Sequence, residues 1–157
     1  MCSTFRRGAY RGYEIELRVH RRNHRDAVKL ATPAEIFRFM RELGQCSAER
    51  MYELLLDTKQ QLQGVYLVGK GGVDKCTADP REVYKAALVT TSPAFVMVHN
   101  HPSGIVEPSV DDMALTSRLY AGADLLGLSF LDSIIIGDGR YHSFHESGMM
   151  RRKVEAV

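Results

Sequence analysis

His99 and His101 stand two residues apart at the C-terminal end of the apolar run Phe95 to Val98, which reads as a short, fully buried strand. Strand alternation points positions i and i+2 to the same side, so both imidazoles can reach one ion. Pro102, Gly104 and Pro108 stiffen the loop that follows, after which Ser109 and Asp112 sit three apart at a helix start and can bring a carboxylate to the same point. The set is a two-histidine, one-carboxylate site. Zinc takes such ligands at about 2.0 to 2.2 Å, and three protein ligands leave a fourth tetrahedral position for water, whose pKa then falls to around 7.

Each piece also has a purely structural explanation. Ser109-x-x-Asp112 is the spacing of a capping box, in which the serine and the acid tie down free N–H groups at a helix start, and the two roles compete for Asp112. A single histidine on an apolar strand is usually a satisfied core residue, although a His-x-His pair meeting a rigid turn is harder to explain that way. The spelling His99-Asn100-His101 coincides with the letters of HNH nucleases, a name that describes residues scattered through a ββα element. Cys2, Cys46 and Cys76 are an odd number without C-x-x-C spacing, so neither a disulfide framework nor a thiolate zinc site is indicated. Nothing beside Cys76 would obviously lower its pKa, which favours a small buried residue over a nucleophile.

Several elements must position these groups. Tyr13, Ile15, Leu17 and Val19 alternate with polar residues, as in a half-exposed edge strand. Thr32-Pro33 is an N-cap and first-turn pair, Ile36, Phe37, Met40 and Leu43 recur at helical spacing, and Gly44 sits at a stop, which predicts a helix over 33–43. The apolar runs 51–56 and 65–68, separated by Asp57-Thr58-Lys59, predict a hairpin, followed by a flexible loop at Gly69, Gly71 and Gly72. Asp79-Pro80 starts a helix carrying Val83, Tyr84, Ala87 and Leu88 inward. Beyond the histidines come a helix over about 109–126, a strand over 128–136, a turn at Gly137-Asp138-Gly139 and a short strand over 141–144. The interleaving of helices and strands predicts an α/β sandwich with one mixed sheet.

The chain has 157 residues, 45% of them hydrophobic and 25% charged, which fits one soluble globular domain. Its longest apolar runs fall far short of the roughly 20 residues that span a bilayer, and no charged-then-apolar signal opens it, so a cytoplasmic location without membrane association is expected. The formal net charge is only +2, yet residues 1–30 hold eight Arg and Lys against three acids. Such a patch is either a solvated face or a contact for nucleic acid or an acidic partner.

The string His99-Asn100-His101-Pro102-Ser103-Gly104, followed by Pro108-Ser109-x-x-Asp112, resembles the JAMM motif in the variant found in the RadC-like family of JAB/MPN proteins. Similar segments at 54–59, 80–83, 115–119 and 135–139 extend the resemblance over about residues 30–150. It implies a JAB1/MPN-like (cytidine-deaminase-like) sandwich with a mixed β-sheet flanked by helices. It divides the chain into a basic N-terminal segment (1–30), a RadC-like catalytic domain (31–150) and a basic tail (151–157). The helix-hairpin-helix region of RadC proteins is not found in this sequence, so a free-standing catalytic domain is expected.

The family pattern further implies that His99, His101 and Asp112 bind Zn2+, and that Ser109 orients the attacking water or stabilises the oxyanion. A glutamate ahead of the first apolar strand serves as base: alignment on 54–57 places Glu49 there, with Glu53 in reserve and Glu82 a more distant choice. The implied activity is metallopeptidase or isopeptidase hydrolysis of a peptide or protein. The alternative is a DNA-repair-associated protein that acts on or binds nucleic acid through residues 1–30. Ser133 stands where the family often has histidine after Asp132.

Overall fold

The structure, a computed structural model, describes residues 28–71 and 78–150. The expected edge strand at 13–19, the basic stretch up to residue 27, Gly72, Cys2, Cys76 and the tail at 151–157 lie outside the described residues.

Thr32 begins helix α1 (Pro33–Met40) with a full capping box: its hydroxyl accepts from Glu35 N, and the Glu35 carboxylate accepts from Thr32 N. The expected helix over 33–43 ends at Met40, and the chain tightens into a 3-10 turn over Arg41–Gln45, where Cys46 N bonds back to Leu43 O. Strands β1 (Arg50–Leu56) and β2 (Leu62–Lys70) form the expected hairpin. Its turn is built by Asp57, whose Oδ1 accepts from both Lys59 N and Gln61 N, the usual service of an aspartate in a turn. Gly69, expected in a loop, belongs to β2: its pairing with Met51 carries the ladder through to Lys70.

Asp79 caps α2 (Pro80–Thr90), on which Val83 and Ala87 are buried and Tyr84 reaches across to donate to Leu119 O at 2.7 Å. Leu88, expected inward, is 50% exposed, because its turn lies at the rim of the face the helix covers. Strand β3 (Ala94–Asn100) is buried at every residue, and α3 (Val110–Leu126) leads from it to β4 (Ser129–Gly137) and β5 (Arg140–Ser143). The two-residue turn between β4 and β5 places Asp138 and Gly139 at φ 46° and 70°, as a tight hairpin requires.

The five strands form one sheet in the order β2-β1-β3-β4-β5, antiparallel except for the β3–β4 pair. Strand alternation divides the core in two. Leu54, Leu56, Val96, Val98, Ile134 and Ile136 pack under α1 and the 3-10 turn. Met51, Leu55, Phe95, Met97 and Phe130 pack under α2 and α3 with Val83, Ala87, Leu119 and Ala123. The result is the expected mixed sheet flanked by helices. Among the described residues no helix is long and apolar enough to cross a membrane.

Candidate metal centre

β3 is the central strand, and its C-terminal end lies beside that of its parallel neighbour β4, the edge of an α/β sheet where crevices form. His99 is the penultimate residue of β3 and is buried, while His101 follows directly after the strand, its backbone N–H donating to Ile136 O of β4 at 3.0 Å. The loop then folds over the end of β4. Gly104, at φ 78°, donates to His101 O, and Gly137 approaches Gly104 so closely that a Cβ there would stand 2.8 Å from the Gly104 carbonyl oxygen.

The two imidazoles meet Nε2 to Nε2 at 3.2 Å. Asp112, in the first turn of α3, closes the group with Oδ1 3.1 Å from His99 Nε2 and Oδ2 3.4 Å from His101 Nε2. Among the described residues these three are the cluster of histidine, cysteine and acidic side chains able to hold a metal ion. A tetrahedral ion with ligands at about 2.05 Å sets its donor atoms about 3.3 Å apart, so the spacing fits such an ion. The donor chemistry fits as well: two ring nitrogens and a carboxylate in mutual contact are satisfied by a proton or by a cation between them.

Capping the helix does not turn Asp112 away from the histidines. Its Oδ2 accepts from Ser109 N at 2.8 Å and Ser109 Oγ at 2.6 Å, and its own N–H donates to Ser109 Oγ, completing a capping box, while Oδ1 faces His99. Burial works to raise the Asp112 pKa, but hydrogen bonds from His101 and His99, the charge of His99 and the Ser109 hydroxyl together hold the carboxyl well below the usual range. Asp112 is therefore an anion, and the N-terminus of α3 favours that charge. The His101 pKa is raised, chiefly by its hydrogen bond with Asp112. His101 Nδ1 lies 2.7 Å from Ile105 O, which accepts a hydrogen bond from Nδ1–H, so in the neutral ring the lone pair belongs to Nε2.

Glu49 is buried in the residue just before β1. The β1–β3 ladder ends on the pair Met51 and His99, two residues from Glu49 along one segment and two from His101 along the other, and the charge of Glu49 contributes to the raised His101 pKa. Glu53 lies on β1 opposite Met97, fully buried, with neither carboxylate oxygen partnered, and burial pushes its pKa up to about 8. Glu82 sits on α2, engaged with Tyr66 OH and Lys85. Ser133 is buried on β4 opposite Met97. The structure thus gathers His99, His101, Asp112, Ser109 and Glu49, and leaves Glu82 elsewhere.

Two contributors were missed. The Ile105 carbonyl carries no side-chain signal. Asn100 is fully buried and hydrogen-bonded through both ends of its amide; a polar residue between the two histidines at the end of an apolar run is the available clue.

The chain is similar to known proteins over most of its length. The family described as RadC-like JAB domain matches residues 30–149. A UPF0758 protein of Methanosarcina acetivorans is 40% identical over 124 residues, which are 78% of this chain and 54% of that protein. One from Finegoldia magna is 41% identical over 128 residues, 80% of this chain and 56% of that protein. One from Pelobacter propionicus is 34% identical over 144 residues, 91% and 63% respectively. The chain spans about half the length of the curated relatives it matches. A mixed five-stranded sheet with His-x-His at the end of its central strand, and a family match over most of the length, identify the chain as a member of the RadC-like JAB domain family.

Proposed function

We propose that this domain is a zinc-dependent hydrolase that cleaves an amide bond of a peptide or isopeptide. The observation that carries the reading is the group formed by His99 Nε2, His101 Nε2 and Asp112, with neighbouring donors 3.1 to 3.4 Å apart. Zinc held there would supply a Lewis acid for the scissile carbonyl and lower the pKa of water to around 7. His99 and His101 serve as neutral ligands, and Asp112 supplies one negative charge. Glu49, just ahead of β1, takes a proton from the attacking water and hands it to the leaving amine. Ser109 holds the Asp112 carboxylate in place, and rotation of its hydroxyl away from Asp112 would offer a donor to the oxyanion.

The surroundings favour a peptide over a phosphodiester at this site. From residue 86 to 117 the sequence contains no Lys or Arg, while Glu107, Asp111 and Asp112 add negative charge, which repels phosphate. Ile105, Val110 and Met113, next to the ligands in sequence, expose apolar side chains. Nucleic-acid binding through residues 1–30 would be a separate activity of the basic segment.

The test is digestion of a peptide library with and without chelator, alongside metal analysis. Wild-type protein is expected to carry about one zinc per chain and to show chelator-sensitive cleavage. Glu49→Gln is expected to keep the zinc and lose at least roughly 100-fold in kcat. Undiminished cleavage by that variant removes Glu49 as the base, and cleavage indifferent to chelator removes the zinc mechanism.

A further inference from the structure

Asn100 sits between the two histidines on the central strand, and alternation directs its side chain to the opposite face of the sheet. There it is fully buried and makes three hydrogen bonds. Oδ1 accepts from Arg50 N at 2.9 Å, and Nδ2 donates to Cys46 O at 3.2 Å and Ala48 O at 3.3 Å. The orientation of the amide is forced, because an N–H needs an acceptor and two carbonyls need donors. Aspartate would set a carboxylate against two carbonyl oxygens, and an apolar residue would leave three backbone groups unpaired.

All three bonds end on the short segment 46–50, and Glu49 lies inside that clasp, between Ala48 and Arg50. Its own carbonyl is held from the other direction by Gly71 N at 2.9 Å. Main-chain motion at Glu49 is therefore restrained on both sides, which is the support a proton-transferring carboxylate needs. We propose that Asn100 is the positioning residue for Glu49: one side chain, rooted between His99 and His101, fixes the segment that carries the base in the same frame as the metal ligands. This inference rests on the hydrolase reading above for its catalytic consequence, but the positioning itself is a geometric claim. Misplacement of a reacting group by about 1 Å costs on the order of 100-fold in rate.

The experiment uses cobalt(II) in place of zinc and carbon-13 glutamate in the full chain, comparing wild type with Asn100→Ala and Asn100→Ser. The paramagnetic displacement of the Glu49 carboxyl resonance, assigned by its disappearance in Glu49→Gln, reports where that carboxylate stands relative to the ion. Both Asn100 variants are expected to bind one cobalt per chain and to lose more than half of that displacement. With zinc and a chelator-sensitive peptide from the library, kcat is expected to fall about 100-fold with KM within about twofold. Asn100→Ala added to Glu49→Gln is expected to slow the reaction no further.

An unchanged displacement in both variants overturns the proposal whatever the rates do. A collapsed displacement in a protein that cleaves no peptide supports the positioning and overturns the hydrolase reading instead. A wild-type chain that takes up no cobalt overturns both. Should neither variant fold, Arg50 amide exchange in the wild-type protein decides: protection equal to that of the neighbouring strand amides supports the clasp, and loop-like exchange overturns it.

Discussion

Glu53 is a carboxylic acid placed where its charge has no partner. It lies on β1 between Met51 and Leu55, on the face covered by α2, and neither oxygen finds a donor. Burial raises its pKa from 4.5 to about 8, so at neutral pH the folded chain keeps it protonated while the unfolded chain ionises it. The sign follows from proton counting. Between pH 4.5 and about 8 the native state holds one more proton than the unfolded state at this position, so its contribution to stability is complete below pH 4.5 and is lost as pH rises to 8. The size is on the order of a few kcal/mol. Glu53→Gln, which keeps the shape and removes the ionisation, is expected to match wild type near pH 4.5 and to be more stable at pH 8, as read by urea unfolding across that range. Parallel pH dependence in the two proteins would contradict the assignment. Position along the chain separates the two glutamates of the β1 segment: Glu49 lies just ahead of β1, close enough for its charge to act on His101, and Glu53 is sealed within the sheet.

Two helices of this domain begin with the same device, and the comparison isolates what the second one adds. Thr32 with Glu35 caps α1, and Ser109 with Asp112 caps α3, each by reciprocal side-chain to backbone bonds. Thr32→Ala and Ser109→Ala should each cost about 1 kcal/mol as lost caps. Only Ser109→Ala should also weaken zinc binding, by roughly 10- to 100-fold, since its hydroxyl donates to the carboxylate that faces the histidines. Equal zinc affinity in the two variants, measured by chelator competition, would reduce Ser109 to a cap. A second element-scale constraint joins β4 to the loop after His101. Ala at 137 would place its Cβ against the Gly104 carbonyl, so Gly137→Ala should cost about 1 to 3 kcal/mol and loosen zinc binding; unchanged stability in denaturant titration would show that the loop moves freely. Elements of this kind were legible in the sequence to the extent that their signals are local. The continuous apolar run into His99, the Thr32-Pro33 start and the Ser109-x-x-Asp112 spacing all depend on near neighbours. Whether Asp112 caps or faces the histidines depended on where each of its two oxygens points, and the answer, both at once, is tertiary. Gly69 read as loop because glycine interrupts strands, yet Met51 across the ladder holds it in β2. Leu88 read as core because helical spacing does not reveal where the covered face ends.

At the scale of the whole molecule, the chain order builds a centre that no single segment contains. The hairpin β1–β2 brings Glu49 to one side of β3, and the crossover through α3 brings Asp112 back over the end of the same strand before β4 pairs parallel to it. His99 and His101 at the end of β3, Asp112 of α3 and Glu49 ahead of β1 therefore come together only when the sheet order β2-β1-β3-β4-β5 is complete. The relatives are nearly twice as long as the matched region. The central claim is that two imidazoles and one carboxylate hold a single catalytic ion, and anomalous diffraction at the zinc edge from crystals of the zinc-loaded chain tests it most directly. The account predicts one peak per chain, about 2.0 to 2.2 Å from His99 Nε2, His101 Nε2 and an Asp112 oxygen. A zinc-loaded crystal with no peak there, and Asp112 bonded only to Ser109 and the histidines, would contradict it.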